Sequence, residues 1–224
     1  MTFARSAAAG LALLVIATAC SSADGAGWRE ADIIGSGNVV ERQVEIGNFD
    51  RIVANGPVSV EVRQGPRPSV TIEAEDNIVN LIDVDVSGDT LVIGSHGSWS
   101  SRRDVRAVVT APGLRDIEKF GSGRVRVVDW NADSLALSTH GSGGITLSGR
   151  IDTLALSTGG SGSIDAGEAT VRDATASTQG SGSITLGDLD RLSAAVAGSG
   201  SIRAGRVGQL TQSDSGSGSI RVAN

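Results

Sequence analysis

The 224-residue chain has 25 acidic and 19 basic side chains, a formal net charge of −6, 31 glycines, one cysteine and no tyrosine. This mildly acidic charge provides no basic stripe for nucleic acid, so no nucleic-acid partner is expected. The single cysteine excludes an intrachain disulfide. Because only 3% of the residues are aromatic, the sequence predicts a thin interior of small and β-branched side chains.

Residues 1–19 have the features of a secretory signal peptide. Arg5 is their only charged residue, and an unbroken run of small and apolar residues follows from Ala7 to Ala19. This run is shorter than the roughly 20 residues that a membrane-spanning helix needs. We therefore predict that residues 1–19 are removed on export.

The segment Ala17-Thr18-Ala19-Cys20-Ser21 resembles the lipobox of bacterial lipoproteins. The resemblance implies that Cys20 becomes the new N-terminus, carries acyl chains and anchors the protein in a membrane. Ser21 resembles the residue type that directs Gram-negative lipoproteins to the outer membrane. Alternatively, Ala17-Thr18-Ala19 fits ordinary signal peptidase, which would release a soluble periplasmic protein. Residues 20–32 are predicted to form a flexible tether.

Residues 33–120 predict an irregular β region, in which apolar residues alternate with polar ones and turn residues separate the runs. The segment Gly35-Ser36-Gly37 resembles a weak copy of the repeat that follows. Residues 94–104 are predicted to form an exposed loop. Within this loop Trp99, Arg102 and Arg103 are the candidate contact residues, because an indole stacks on sugars and arginines donate hydrogen bonds.

A repeat dominates residues 121–222. The triplet Gly-Ser-Gly begins at residues 121, 141, 160, 180, 198 and 216, at intervals of 20, 19, 20, 18 and 18 residues. Two residues after each triplet stands an apolar β-branched residue: Val125, Ile145, Ile164, Ile184, Ile202 and Ile220. Such a period is typical of stacked solenoid repeats.

These features predict an all-β fold, a right-handed parallel β-helix (β-solenoid) with rungs of 18–20 residues. One rung is too small to bury its own apolar side chains, but stacked rungs align them into a continuous core. Residues 33–222 are expected to form one domain of this kind. Gln212 and Asp214 stand where earlier rungs carry apolar residues or Thr. We therefore predict that they lie at the polar end of the stack.

Several motifs occur in a fixed order before the repeats: Glu41-Arg42, Phe49-Asp50-Arg51-Ile52, Gly56-Pro57-Val58-Ser59-Val60, Gln64-Gly65, Val70-Thr71-Ile72-Glu73-Ala74, Asp76-Asn77, Asp89-Thr90-Leu91-Val92-Ile93 and Val109-Thr110-Ala111-Pro112-Gly113-Leu114. As a set they resemble the GIN-domain family, the head domain of autotransporter-type adhesins, over about residues 41–222. The resemblance implies a β-helical fold and a bacterial envelope location, and no proven activity. Most family rungs place Asp after Gly-Ser-Gly, whereas four rungs here place Ser: Ser163, Ser183, Ser201 and Ser219. A ligand that depends on those acidic residues therefore does not carry over.

Catalytic, cofactor and metal sites are not predicted. Enzymes on β-helices use clustered carboxylates, and the acidic residues here recur at no single rung position. The calcium repeat G-G-x-G-x-D is not matched, because its sixth position is Ile164. His96 and His140 are expected to face solvent rather than share a metal, and Trp130 is expected to pack at a rung corner.

The sequence therefore predicts a non-catalytic envelope lipoprotein, adhesin-like, that presents an extended binding or spacer surface. Its partners would be the membrane, through the anchor, and a glycan or an envelope protein. Two alternatives remain open: a carbohydrate-active enzyme on the same scaffold, and a periplasmic accessory of envelope stress or signalling that binds a protein partner.

Overall fold

The computed structural model describes residues 33–223. The predicted signal peptide, Cys20 and the tether over 20–32 lie outside the described residues. Almost every described segment is a β-strand, and the one helical segment among them is a 3-10 turn at Val79–Leu81. The all-β prediction is confirmed.

The strands fall into an irregular and a regular group. The irregular group contains β1 (Ile33–Ile34), β2 (Val39–Val44), β3 (Arg51–Ala54), β4 (Ser59–Gln64), β5 (Ser69–Glu75), β6 (Ile82–Ser87), β7 (Thr90–Ser95), β8 (Trp99–Ser100), β9 (Arg106–Ala111) and β10 (Asp116–Gly121). The regular group contains β11 (Arg124–Gly141), β12 (Gly144–Gly160), β13 (Ser163–Gly180), β14 (Ser183–Leu186), β15 (Leu189–Gly198), β16 (Ser201–Ala204), β17 (Val207–Gly216) and β18 (Ser219–Val222).

The regular strands stack in parallel and in register. Ile145 lies opposite Ile164, Ile164 opposite Ile184 and Ile184 opposite Ile202, at offsets of 19, 20 and 18 residues. All four side chains are at most 1% exposed. The predicted stack of aligned apolar residues is therefore confirmed, and each buried Ile stabilises it by roughly 1.5–3 kcal/mol.

Each regular rung has three faces. We call the strand that follows Gly-Ser-Gly the first face, the short segment around Ile151 and Val171 the second face, and the strand that leads to the next triplet the third face. The third face buries a column of apolar residues: Leu137, Leu156, Ala176 and Ala194. A second inward column beside it contains Lys119 followed by Thr139, Thr158 and Thr178, all buried. The hydroxyl of Thr158 donates a hydrogen bond of 2.8 Å to that of Thr178, so polar groups within the core satisfy one another.

The corners depend on glycine. Gly182 illustrates this, because a Cβ atom there would lie 2.6 Å from the carbonyl oxygen of Gly162 on the preceding rung. Backbone groups of successive rungs approach each other at this corner more closely than any side chain permits.

The irregular group continues the same stack but not in chain order. Strand β4 pairs in parallel with both β9 and β11, and β3 pairs in parallel with both β7 and β10. Residues 51–64 therefore lie between a later segment, 90–111, and the start of the regular rungs. Hairpin-like excursions close this region through the antiparallel pairs β2–β5, β5–β9 and β6–β7.

The resemblance of Gly35-Ser36-Gly37 to a rung start does not lead to a stacked rung. The strand that follows, β2, pairs antiparallel with β5. The segment instead binds carboxylates: Gly37 N–H donates to buried Glu75, and the Ser36 hydroxyl donates to Asp76. Hydrogen bonds from Asn38 and Ser36 hold the pKa of Asp76 below its ordinary value. The triplet thus fastens the first described residues to the end of β5.

The other end of the stack is polar, as predicted. Gln212 lies opposite Ala194 and Asp214 opposite Val196, and both are exposed. Leu210 on the same strand is 42% exposed. No further strand of the described residues covers the outer edge of β17, so a carboxylate and an amide stand at the open end of the core.

Candidate binding surface

The predicted contact residues lie together on one loop. Trp99 belongs to β8, which pairs with β1, and its ring is half-buried against the core. Arg102 and Arg103 are exposed and form no ion pair with the described residues. The Ser101 hydroxyl holds the loop by donating to the carboxylate of Glu75 and accepting from the N–H of Arg103. The loop offers two free guanidiniums and part of an indole, and its role as a contact stays a prediction.

The other aromatic and imidazole side chains have separate environments. Trp130 is fully buried, which confirms the expectation that it packs inside. His140 is exposed and stacks on Phe120 with ring centroids 4.9 Å apart. His96 is exposed, and its Nδ1 lies 2.9 Å from a carboxylate oxygen of Asp83. The two histidines therefore have different neighbours.

The first face presents a track of hydroxyl groups flanked by arginines. Its outward hydroxyls come from Thr146, Ser163, Ser183, Thr185, Ser201 and Ser219. Its outward arginines are Arg124 and Arg126 at one end and Arg203 and Arg221 at the other. Asp165 is the one carboxylate among these first-face outward positions from β11 to β18, and it accepts a hydrogen bond from the backbone N–H of Gly167. The track therefore has a local charge of +3 in an acidic chain.

The four arginines of the first face have no carboxylate partner among the described residues. Arg126 lies opposite Glu61 in the register, but that carboxylate contacts Arg63 and Arg106 instead. Arg203 donates one hydrogen bond of 3.1 Å to a neighbouring hydroxyl. These guanidiniums remain available to an anionic ligand.

Two grooves flank the arginine end of the first face. One of about 560 Å³ is lined by Ser59, Arg106, Arg124 and Arg126 together with Glu61 and Asp104. The other, of about 320 Å³, lies on the far side of Arg126. On the adjacent rung, Gly144 replaces the serine that the later rungs carry at this position.

The second face carries a groove of about 650 Å³ with a different character. Its floor is aliphatic, formed by Ile151, Val171 and Leu189, and charged side chains form both walls. Two of its arginines are paired, Arg206 with Asp188 at 2.7 Å and Arg172 with Asp152 at 3.7 Å, whereas Arg150 has no ion pair among the described residues. Hydrogen bonds from the backbone and side chain of Arg206 lower the pKa of Asp188. A ligand here would have to compete with existing ion pairs.

Beyond the Asp173–Arg191 ion pair at its start, the third face is uncharged over its two central outward columns. Its outward columns contain Ala136, Ala155, Thr175, Ser193 and Thr211 in one line and Ser138, Ser157, Ser177, Ala195 and Ser213 in the next. The repeated small side chains form a plane of hydroxyl and methyl groups. The Phe120–His140 stack borders this plane at its N-terminal edge.

One protein-family model matches most of the described stack. The family model described as "Putative auto-transporter adhesin, head GIN domain" matches residues 48–224. The chain belongs to this family. No match was found among the curated proteins.

Solved structures of similar fold align with this head GIN domain over nearly their whole length. A "putative adhesin" from Bacteroides fragilis NCTC 9343 has a TM-score of 0.68 and 27% identity, over 85% of this chain and 99% of that chain. A "Putative lipid binding protein" from Parabacteroides distasonis ATCC 8503 has a TM-score of 0.60 and 22% identity, over 86% and 100%. A "putative adhesin" from Parabacteroides merdae ATCC 43184 has a TM-score of 0.51 and 18% identity, over 86% and 99%. The latter two show a shared fold.

The head GIN domain contains one buried cation. Lys119 is fully buried, and its Nζ lies 2.6 Å from the carbonyl oxygen of Phe120, 2.8 Å from that of Gly56 and 3.3 Å from that of Ala54. Three carbonyls satisfy its three donors, and no carboxylate compensates its charge. Burial lowers the pKa of Lys119 from its ordinary value to about 8.

The burial of Lys119 predicts that the GIN domain becomes more stable at alkaline pH. Between pH 8 and about 10.5 the unfolded chain keeps a proton on Lys119 that the folded chain has released, so the free energy of unfolding rises with pH. A pKa lowered from 10.5 to about 8 corresponds to a rise of roughly 3 kcal/mol, and we expect at most this value. Urea unfolding at pH 7.5 and 10.5 measures it. The chain has one lysine and no tyrosine, which leaves few other groups to titrate in this range.

The matched control for this measurement is Lys119→Met, which keeps the length of the side chain and removes its proton. We expect the variant to lose the rise in stability above pH 8. Cys20 and the terminal amine are present in both proteins, so their titration cancels in the comparison. An equal rise in the variant would contradict the assignment to Lys119.

Clusters of metal-ligand side chains and membrane-crossing helices are both absent from residues 33–223. No group of three or more His, Cys, Asp or Glu side chains there has the geometry to hold a metal ion. None of the helical segments described has the length and hydropathy that a membrane span requires.

The sequence contains a signal for the direction of the first-face arginines, which is the alternation of side chains along their strand. In Gly123-Arg124-Val125-Arg126 the buried Val125 fixes the direction of its neighbours, because strand side chains alternate. The outward direction of both arginines was therefore predictable. Their lack of carboxylate partners was not, because that depends on which strands lie alongside.

Proposed function

We propose that this head GIN domain is a non-catalytic, adhesin-like binding module of the bacterial envelope, with glycans as its ligands. The observation that carries the proposal is the repetition of outward chemistry. Similar hydroxyl groups recur once per rung on the first and third faces, at about 4.8 Å per rung. Catalysis needs different groups that converge on one reacting bond, whereas a periodic track suits an extended, repetitive ligand.

The N-terminal sequence and the family support the proposed location. A signal peptide over residues 1–19 and a lipid on Cys20 would attach the domain to the outer membrane through the 20–32 tether. The family of adhesin heads and the 27% identical B. fragilis protein named as an adhesin support a role at the cell surface. Mass spectrometry of the native N-terminus tests the anchor, since an unmodified Cys20 would exclude lipidation.

A glycan array and an envelope pull-down with residues 21–224 test the binding function. We expect the protein to retain a set of glycans and to release no shortened products from them. To identify the face that binds, Ser183→Glu/Thr185→Glu places two carboxylates on the first face. Thr175→Glu/Ser177→Glu places the same charges on the third face as a matched control. One of the two variants should lose binding.

Other outcomes favour the alternatives. Progressive shortening of a bound glycan would contradict the non-catalytic proposal and favour a carbohydrate-active enzyme. Retention of one envelope protein, with no glycan bound, would favour the signalling accessory. Both results would be visible in the same two assays.

A further inference from the structure

The distribution of arginine pairing distinguishes the first face from the rest of the regular rungs. Of the four arginines on the second and third faces, Arg172, Arg191 and Arg206 each contact an aspartate, and only Arg150 has no carboxylate partner among the described residues. The two hydrogen bonds from Arg191 hold the pKa of Asp173 below its ordinary value. On the first face no arginine is neutralised in this way among the described residues. Among the described regular rungs the first face therefore carries four unpaired arginines, and the other two faces together carry one.

From this pattern we infer that the first face binds an acidic polysaccharide whose carboxylates pair with Arg124 and Arg126 at one end of the track and with Arg203 and Arg221 at the other. This inference rests on the proposed glycan-binding function and names its ligand class. Side chains at i and i+2 of a strand point to the same side, so the guanidiniums of Arg124 and Arg126 form one cationic pair. A guanidinium matches a carboxylate by two parallel hydrogen bonds.

The dimensions suit an extended chain. Four parallel steps, through β12, β13 and β14 to β16, separate Arg126 from Arg203, which is about 19 Å at the spacing of strands in a sheet. Hydroxyls of Ser163, Ser183 and Thr185 lie between the two ends and offer hydrogen bonds to sugar hydroxyls.

A uronic-acid polymer fits this surface better than other polyanions. Single-stranded nucleic acid binds through aromatic platforms on which its bases stack, and the outward positions from β11 to β18 on the first face carry no aromatic residue. A membrane surface would require apolar side chains to enter the lipid, and the outward positions here are polar or charged. The grooves beside Arg126, of about 560 and 320 Å³, have enough volume for a sugar ring, and four carboxylates also line them: Glu61, Asp104, Asp165 and Glu168.

The test compares polygalacturonate oligomers with their methyl esters, which have the same sugars without the charge. Binding by the full chain, purified from the envelope in detergent, is measured by calorimetry. We expect the acid to bind and the ester to bind at least tenfold more weakly, and we expect 0.5 M salt to weaken the acid's binding because it screens exposed charges.

Each first-face variant replaces arginines by the residues that other rungs carry at the same register positions. Arg124→Ser/Arg126→Thr copies Ser183 and Thr185, and should weaken binding of polygalacturonate about tenfold. Adding Arg203→Thr/Arg221→Thr should weaken it about a hundredfold. Arg67→Ser/Arg150→Thr is the control, since it removes two exposed, unpaired arginines elsewhere and should leave affinity unchanged. Equal thermal midpoints would show that all variants fold.

Three results would overturn the inference. One is an equal loss in the Arg67/Arg150 control, which would indicate a nonspecific charge effect. Another is tight binding of the methyl ester that the first-face variants do not alter; the proposed function would then stand with a neutral ligand. The third is stronger binding to vesicles of phosphatidylglycerol, lost in the same variants, which would assign the face to a membrane. A protein that binds no glycan on the array would contradict the proposed function itself.

Discussion

Gly180→Ala is expected to lower the free energy of unfolding by about 3 kcal/mol. Gly180 has a φ of +119°, where an L residue is strained, and a Cβ atom there would lie 2.7 Å from the carbonyl oxygen of Gly160. The clash cannot relax cheaply, because that carbonyl accepts a hydrogen bond from Ser181 N–H and belongs to the backbone of the preceding rung. Urea unfolding followed by circular dichroism measures the loss.

Gly47→Ala is the matched control for this corner. Gly47 lies in an exposed segment, has an ordinary φ, and a Cβ atom there would meet nothing within 4 Å. We expect a change within about 0.5 kcal/mol. If Gly180→Ala were equally neutral, close approach of the backbones would not be what requires glycine at the corners.

The same corners explain why the regular half of the fold was predictable from the sequence. The alternation around Ile145, Ile164 and Ile184 fixes which side chains point inward, and the nearly constant interval fixes which rung follows which. In a solenoid each repeat contacts mainly its neighbours in sequence. Local pattern and three-dimensional neighbour therefore coincide from β11 onward.

In the irregular half this coincidence fails. The alternation in Val58-Ser59-Val60 correctly indicates that the valines are buried, but it does not indicate that β4 lies between β9 and β11. The parallel partners of β4 are 47 residues apart in the pair Val60–Ala107 and 65 apart in the pair Val60–Val125, and the hairpins add antiparallel neighbours. A local sequence pattern determines whether a side chain points inward or outward, but only the tertiary fold determines which strands pair.

The same distinction between side-chain direction and strand pairing applies to the candidate binding surface. The outward direction of Arg124 and Arg126 followed from alternation, but the freedom of their guanidiniums followed from Glu61, which binds other arginines. Lys119 stands at an inward position of β10, yet lysine is almost never fully buried. Its burial depends on the carbonyls of Gly56 and Ala54, which belong to a distant part of the chain.

The polar end of the stack leads to a second large expected effect. Gln212→Ala/Asp214→Val should convert the protein into end-to-end dimers or longer assemblies at micromolar concentration. The double variant copies Ala194 and Val196, the residues that lie opposite on the preceding rung. The core would then end in an apolar surface that includes the already exposed Leu210, beside the uncovered edge of β17.

The physical reason is the cost of burying Asp214. If two ends met in the wild-type protein, its carboxylate would lose water in an apolar contact and face another carboxylate, which costs several kcal/mol. Inward-pointing charges on end strands prevent sheets from joining edge to edge. Removing the charge removes this barrier, and the same change adds apolar area to the end.

Sedimentation velocity of the wild type and the variant between about 5 and 100 μM measures the effect, and the apparent mass of the variant should rise with concentration. Thr211→Val/Ser213→Ala is the control, because it adds similar apolar groups on the same strand at outward positions of the third face. It should leave the protein in the wild-type state. Association of this control to the same extent would show that added hydrophobicity anywhere on β17 is sufficient. A double variant that stays in the wild-type state would show that Asp214 is not what keeps the open end apart, since the exposed strand edge would then be protected by other means.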